Sequence, residues 1–222
     1  MTKPIACVLF DLDGTLIDTA PDLIASLNMA LTTYGFSPVD VDFVKPHVSF
    51  GAVAMINASV EAGVAASTRD RLLETMLAYY EQNIAEHSDF FEGMHEVLAF
   101  IEARHVPWGI VTNKRMRFTA PLVQAFALGT RVACVISGDS TPTPKPHPAP
   151  LLAACKQVGV SADECVYIGD AAHDIAAGNA AAMYTLAAVY GYLQPNATPE
   201  NWGAHGLIDS PKQLLTWLKD VL

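Results

Sequence analysis

Long apolar runs are missing from this chain. Hydrophobic residues make up 51% of its 222 positions, yet Asp, Lys, Pro or Gly breaks every run well short of the roughly 20 residues that a membrane-spanning helix needs. Positive charge is also scarce: 13 Lys and Arg stand against 23 Asp and Glu, a formal net charge of -10. Without a basic stripe to displace counterions, nucleic acid and anionic membrane surfaces are not expected partners. The four cysteines, Cys7, Cys134, Cys155 and Cys165, show no C-x-x-C spacing, which suits reduced core thiols better than a disulfide framework or a zinc site. The start, Met1 to Phe10, has only a short apolar stretch that runs directly into Asp11. It lacks the long core and cleavage region of a secretory signal, so a soluble, cytoplasmic protein is expected. In that compartment the sequons at Asn57 and Asn196 carry no meaning. Internal repeats and low-complexity tracts are absent as well.

What is present is an alternation. Short apolar runs at Ile5 to Phe10, Trp108 to Val111, Val132 to Ile136, Val166 to Ile168 and Thr185 to Val189 read as buried strands. Between them lie helical patterns at Val97 to Ala103, Phe118 to Phe126, Pro148 to Val158 and Asp174 to Ala182, as expected of a doubly wound parallel sheet covered on both faces. Ser210 as N-cap, Pro211 at the first position and Leu214, Leu215, Leu218 and Val221 on one stripe predict a closing helix. From Thr19 to Phe91 no convincing strand is visible. Leu23, Leu27, Ala30, Leu31 and Tyr34, then Leu72, Leu73, Met76, Leu77, Tyr80 and Ile84, recur at helical spacing. The fold class is therefore α/β, a Rossmann-like core of residues 1–18 and 92–222 with an all-helical cap, residues 19–91, inserted after the first strand. Such sheets bind ligands beyond the carboxyl ends of their strands, where this cap would sit.

Four short segments carry chemistry. In Phe10-Asp11-Leu12-Asp13-Gly14-Thr15, side-chain alternation lets Asp11 and Asp13 flank one point, and Gly14 permits a sharp exit. Two carboxylates so close repel one another and invite a divalent cation; an all-oxygen pair suits Mg2+ best. A plain Asx-turn is the bland alternative. Val111-Thr112-Asn113-Lys114 ends a strand in a hydroxyl and an amide, which elsewhere merely cap the next helix. Lys145 stands between prolines in Thr143-Pro144-Lys145-Pro146-His147-Pro148, stiffened around one cation. In Gly169-Asp170-Ala171-Ala172-His173-Asp174, the two acids lie four residues apart, on one face once a helix has begun. Each segment starts at a strand's carboxyl end or in the loop after it, so four carboxylates, a lysine and a hydroxyl converge on one crevice. Mg2+ and Lys145 would supply there the positive field that the composition lacks, which is what phosphoryl transfer requires.

These elements, in this order and over essentially the whole chain, resemble the haloacid dehalogenase superfamily of phosphatases. The resemblance implies that Asp11 is the nucleophile, and that Asp13 protonates the leaving oxygen and later activates water. It implies that Thr112 and Asn113 hold the phosphoryl group and that Lys145 steadies its charge. Asp11, the backbone carbonyl of Asp13, and Asp170 would ligate Mg2+, with Asp174 orienting a metal-bound water or the lysine. The insertion is similar to the helical cap of the phosphoglycolate phosphatase branch. Phe91-Glu-Gly-Met94, Val111-Thr-Asn-Lys114, Lys145-Pro-His-Pro148 and Tyr190-Gly-Tyr192 resemble both phosphoglycolate phosphatases and N-acetylmuramate 6-phosphate phosphatases, and Asn201-Trp-Gly-Ala204 leans toward the latter.

Where many relatives carry a glycine pair in the cap loop, this chain has Ser49-Phe50-Gly51, so Phe50 is expected to reshape the pocket. Ser49, Phe50, Lys114, Arg115 and Arg117 are the expected lining, the cations suited to a substrate carboxylate. His147 and His173 lie beside motif residues, with solvation as the default for both. The implied substrate is a small phosphorylated metabolite, 2-phosphoglycolate or N-acetylmuramate 6-phosphate, chosen by the cap and the loop from Tyr190 to Gly206. A phosphomutase of the same superfamily, a phospho-aspartate receiver module and a carbon-halogen hydrolase remain as rivals, as does a scaffold with an idle site. Monomer and homodimer are both open.

Overall fold

Alternation of buried side chains along short strands builds a six-stranded parallel sheet. The protein is described here by a computed structural model covering residues 4–222; Met1 to Lys3, which begin the expected core span and the expected signal-free start, lie outside the described residues. In chain order the elements are β1 (Cys7–Phe10), β2 (Ile17–Asp18), α1 (Ala20–Thr33), α2 (Val41–Val44), α3 (Ala52–Ser59), α4 (Ala66–Gln82), β3 (Asp89–Phe90), α5 (Met94–Ala103), β4 (Trp108–Val111), α6 (Met116–Ala125), β5 (Cys134–Ile136), α7 (Ala149–Val158), β6 (Cys165–Gly169), α8 (Ala172–Ala180), β7 (Tyr184–Ala188), β8 (Gly206–Ile208) and α9 (Pro211–Val221).

The sheet order is β5-β4-β1-β6-β7-β8, all parallel. The chain first winds outward from β1 to β5 and then restarts on the other side of β1 with β6, so the order reverses between β1 and β6. In an open α/β sheet that switch point is where ligands bind. Both faces are covered. Val8, Phe10, Val166 and Ile168 join Leu98, Leu122 and Leu214 on one face. Cys7, Leu9, Cys165 and Tyr167 join Leu151, Ala154 and Ala177 on the other. The cysteines are free and buried.

The segment between β2 and β3 is helical, and Leu27, Leu31, Leu72, Met76 and Tyr80 from α1 and α4 form one apolar cluster that also takes in Phe118 of α6 and Tyr192. Two features depart from the sequence reading. β2 and β3 pair antiparallel, Ile17 with Phe90 and Asp18 with Asp89, placing a two-residue ribbon where the chain leaves and re-enters the core; it is too short to leave a period-2 signature. β8 is an edge strand of three residues, and it too lacks a continuous apolar run. Among the described residues no helix is long and apolar enough to cross a membrane.

Buried Asp22, in the first turn of α1, ties the returning chain to the cap's start. It accepts the backbone N–H of His87 at 2.9 Å and of Ser88 at 3.0 Å, and also the Ser88 hydroxyl. Asp22→Ala strands these donors at a part-buried joint and is expected to cost about 2 kcal/mol, measured as a lowered midpoint in urea denaturation; an unchanged midpoint would show that the joint is held by other contacts.

Candidate active site

Four groups are delivered by position alone. Asp11 is the first residue beyond β1, Thr112 the first beyond β4 and Asp170 the first beyond β6, while Lys145 comes from the loop between β5 and α7. The Asp11 N–H donates to Ile168 of the neighbouring strand at 2.8 Å, and the Thr112 N–H to Ile136 at 2.9 Å, so these residues extend the sheet's own ladder. Because β1 and β6 are adjacent, Asp11 and Asp170 meet at the switch point.

Lys145 occupies the centre. Its ammonium is fully buried, 2.8 Å from Asp11 Oδ1 and 2.7 Å from Asp174 Oδ1, and it also contacts the Val111 carbonyl at 3.0 Å and the Tyr167 hydroxyl at 2.8 Å. Burial works against the charged lysine, but the Asp11 and Asp174 carboxylates outweigh it and raise its pKa. Burial lifts the Asp11 carboxyl to about 6 against the pull of Lys145. At Asp174 burial pushes the same way, but Lys145, with help from His173 and the Ala171 N–H, holds the carboxyl below its ordinary value.

Asp170 lacks such a counter-charge. Burial, then Asp11 and Asp174, push its carboxyl up to about 8, with the Tyr192 N–H and the Ser49 hydroxyl opposing. Ser49 reaches it from the cap at 2.8 Å, and the Tyr192 N–H at 2.9 Å. Gly14 lies directly behind it: with φ of +81° it needs glycine's freedom, and a Cβ there would collide with the Asp170 carboxylate. One oxygen from each of Asp11, Asp170 and Asp174 lies within 4.8 Å of the other two. A set of three buried carboxylates with oxygen donors alone and a single ammonium between them fits a hard divalent cation.

The Asp13 side chain stands apart from this cluster. Lys114 pairs with both its oxygens, at 2.9 and 3.2 Å, and Thr19 donates to it. Thr112 is buried, and its hydroxyl accepts the Lys114 N–H at 3.1 Å. The Asn113 amide makes a reciprocal pair with the backbone of Lys145, 3.0 Å in each direction, fixing the lysine's loop to the end of β4. A cavity of about 750 Å³ opens between core and cap, lined among others by Asp11, Asp13, Thr112, Lys145 and Tyr80.

Ser49, Phe50, Arg115, Arg117 and His173 line this cavity too. Phe50 is half exposed, its ring edge-on to His173 at 6.3 Å. His147 is elsewhere, exposed and accepting the Ala149 N–H at 3.1 Å as a cap on α7. No residue of the loop from Tyr190 to Gly206 lines the cavity; its Tyr192 instead holds Asp170 and, through its hydroxyl, Asp18 at 2.6 Å and the Ala20 N–H at 3.0 Å. The sequence reading gave no site role to Tyr167, to Tyr80, which it placed on a helical stripe, or to Tyr192, which it named only within the Tyr190-Gly-Tyr192 motif. Tyr167 sits at the inward position of β6 two residues before Gly169, which is the one available hint.

Residues 8–188 match the model of a family described as haloacid dehalogenase-like hydrolase. An N-acetylmuramic acid 6-phosphate phosphatase from Pseudomonas putida is 40% identical over 207 residues, covering 93% of this chain and 93% of that protein. A phosphoglycolate phosphatase from Xanthomonas campestris pv. campestris is 39% identical over 207 residues, again 93% of each. Among solved structures, a Haemophilus somnus protein described as a predicted phosphoglycolate phosphatase is similar with a TM-score of 0.87 at 25% identity, covering 98% of this chain and 100% of that one.

The raised Asp170 carboxyl sets a pH dependence. A group whose pKa rises from 3.8 to about 8 on folding stabilises the fold below its unfolded value, and that contribution is lost as pH climbs through the folded one. In EDTA, the melting temperature of the wild type relative to Asp170→Asn should therefore fall between pH 4 and 8. Added Mg2+ should recover the difference at pH 8 and do little at pH 5, because binding requires the ionised carboxylate; a pH-independent difference would contradict this account.

Proposed function

Because the chain belongs to the haloacid dehalogenase-like hydrolase family, we propose that it is an Mg2+-dependent phosphatase that hydrolyses a small cytoplasmic phosphomonoester by way of a phosphoryl group carried on Asp11. The observation that carries this reading is the placement of Asp11: first residue beyond the central strand, fixed by Lys145 at 2.8 Å, and open to the cavity. In this reading residues 1–18 and 92–222 are the catalytic core and residues 19–91 the cap. Asp11, Asp170 and the Asp13 carbonyl hold the cation, with Asp174 as the partner that orients Lys145 or a bound water. The cation supplies neutralising charge to the phosphoryl oxygens.

The Asp11 carboxylate oxygen attacks phosphorus, the bond to the leaving oxygen breaks, and Asp13 gives that oxygen its proton. Asp13 then takes a proton from water, whose oxygen attacks the same phosphorus; the bond to Asp11 breaks and inorganic phosphate is released. Thr112 and the backbone at Asn113 hold the phosphoryl oxygens, and the Lys145 ammonium balances charge on Asp11 and on the transferring group. Since the Asn113 amide is engaged with Lys145, its side chain acts by holding the lysine in place.

For the leaving group, cavity size favours the larger candidate. About 750 Å³ is in the range of pockets that take drug-sized molecules, room enough for N-acetylmuramate 6-phosphate, which is the preferred substrate, with 2-phosphoglycolate the second. Phe50, Ser49 and Arg115 contribute to its lining. A receiver-type module has no use for a roofed cavity of this size.

Phosphate release from both esters and from common sugar phosphates, with and without EDTA, tests the reading. Free phosphate should match substrate consumed, whereas transfer to a substrate hydroxyl would identify a phosphomutase. Asp11→Asn should lower kcat by roughly 10³-fold or more with an unchanged circular dichroism spectrum; substantial residual turnover would mean another nucleophile.

A further inference from the structure

Tyr80 is the feature that this mechanism leaves unused. It comes from α4 of the cap and is buried, and its hydroxyl makes no hydrogen bond of ordinary geometry among the described residues, although the Lys114 ammonium is close enough to interact with it and leaves its proton free to donate. Buried hydroxyls almost always find a hydrogen-bond partner, so an unused donor at the wall of a binding cavity points to a ligand as the missing acceptor. Its surroundings specify which kind. The Lys114 ammonium lies over the ring, 4.7 Å from its centroid. Phe118 packs against it at 5.4 Å and in turn carries the Arg117 guanidinium at 4.4 Å. Burial pushes the phenol above its ordinary range, so at neutral pH it donates. Lys114 gives two contacts to Asp13, and an ammonium has three N–H groups.

The cavity that Asp11 and Lys145 line thus also offers a neutral donor and two cations, Tyr80, Lys114 and Arg117, a set that accepts an anion. We propose that Tyr80 and Lys114 form a carboxylate subsite, with the Tyr80 hydroxyl donating to one carboxylate oxygen of the leaving group and Lys114 supplying charge, so that the cap selects phosphomonoesters that are also carboxylic acids. This rests on the phosphatase reading; the carboxylate is the group that N-acetylmuramate 6-phosphate and 2-phosphoglycolate share beside their phosphate.

Calorimetric titration with Mg2+ of the Asp11→Asn chain, which cannot turn over, separates the two. Each acid is compared with its own carboxamide, which keeps the shape and removes the charge. The acid should bind about tenfold or more tightly than the amide. Adding Tyr80→Phe should weaken the acid by about tenfold, weaken the amide, whose carbonyl also accepts, distinctly less, and leave the melting temperature no lower, since the ring and its contacts remain. With Asp11 restored, Tyr80→Phe should raise KM for the acid at constant kcat. Lys114→Met in the Asp11→Asn chain should also erase the acid preference. Equal binding of acid and amide, or equal weakening of both by Tyr80→Phe, overturns the subsite. A preserved acid preference with no phosphate release by the wild type overturns the phosphatase reading and leaves the subsite standing.

Discussion

One buried ammonium makes the rest of this site possible. Asp11, Asp170 and Asp174 bring carboxylate oxygens within 4.8 Å of one another, and in a medium that screens poorly such groups repel strongly. Lys145 lies between two of them, with a backbone carbonyl and a tyrosine hydroxyl completing its shell. Desolvating this ammonium is costly, and the fold offsets that cost with close, well-directed partners, the condition under which a buried ion pair is tolerated. The remaining imbalance falls on Asp170, whose carboxyl is the most strongly raised of the three. A cation bound there would relieve repulsion already present in the protein.

Labour is divided between the sheet and the inserted segment. Asp11 and Thr112 are bonded into the sheet through their own N–H groups, and Asn113 clamps the Lys145 loop to β4. The candidate site therefore inherits the stiffness of six hydrogen-bonded strands, which is what precise positioning of a reacting group requires. Phe50, Ser49 and Tyr80 reach the same cavity from the inserted helical segment, and Ser49 alone of the three also bonds the acidic cluster, at Asp170.

Most of the core and the acidic residues were legible because their signals are local. A buried parallel strand is a short apolar run, and each of Asp11, Thr112 and Asp170 stands at the point where such a run stops. β8 and the β2–β3 ribbon were not legible, being two or three residues long and defined by pairing partners distant in sequence. The site roles of the tyrosines were missed for a related reason. Tyr80 sits on a helical stripe where an aromatic is ordinary core, and only the fold brings Lys114 beneath its ring. Tyr167 likewise reads as strand filler until Lys145 arrives 2.8 Å from its hydroxyl. Asn113 was visible as a polar strand end, but its engagement with a loop 32 residues away depends on where that loop lands.

Tyr192 gives the assembly a mechanical property. Its N–H steadies Asp170, while its hydroxyl bridges Asp18 and the Ala20 N–H at the first strand-to-cap crossing, and Phe91 from the second crossing packs 6.3 Å from its ring. One residue thus holds the carboxylate at the switch point with its backbone and the first crossing with its side chain. A substitution that shifts the backbone at this residue therefore disturbs the acidic cluster and the crossing together, whatever side chain it introduces.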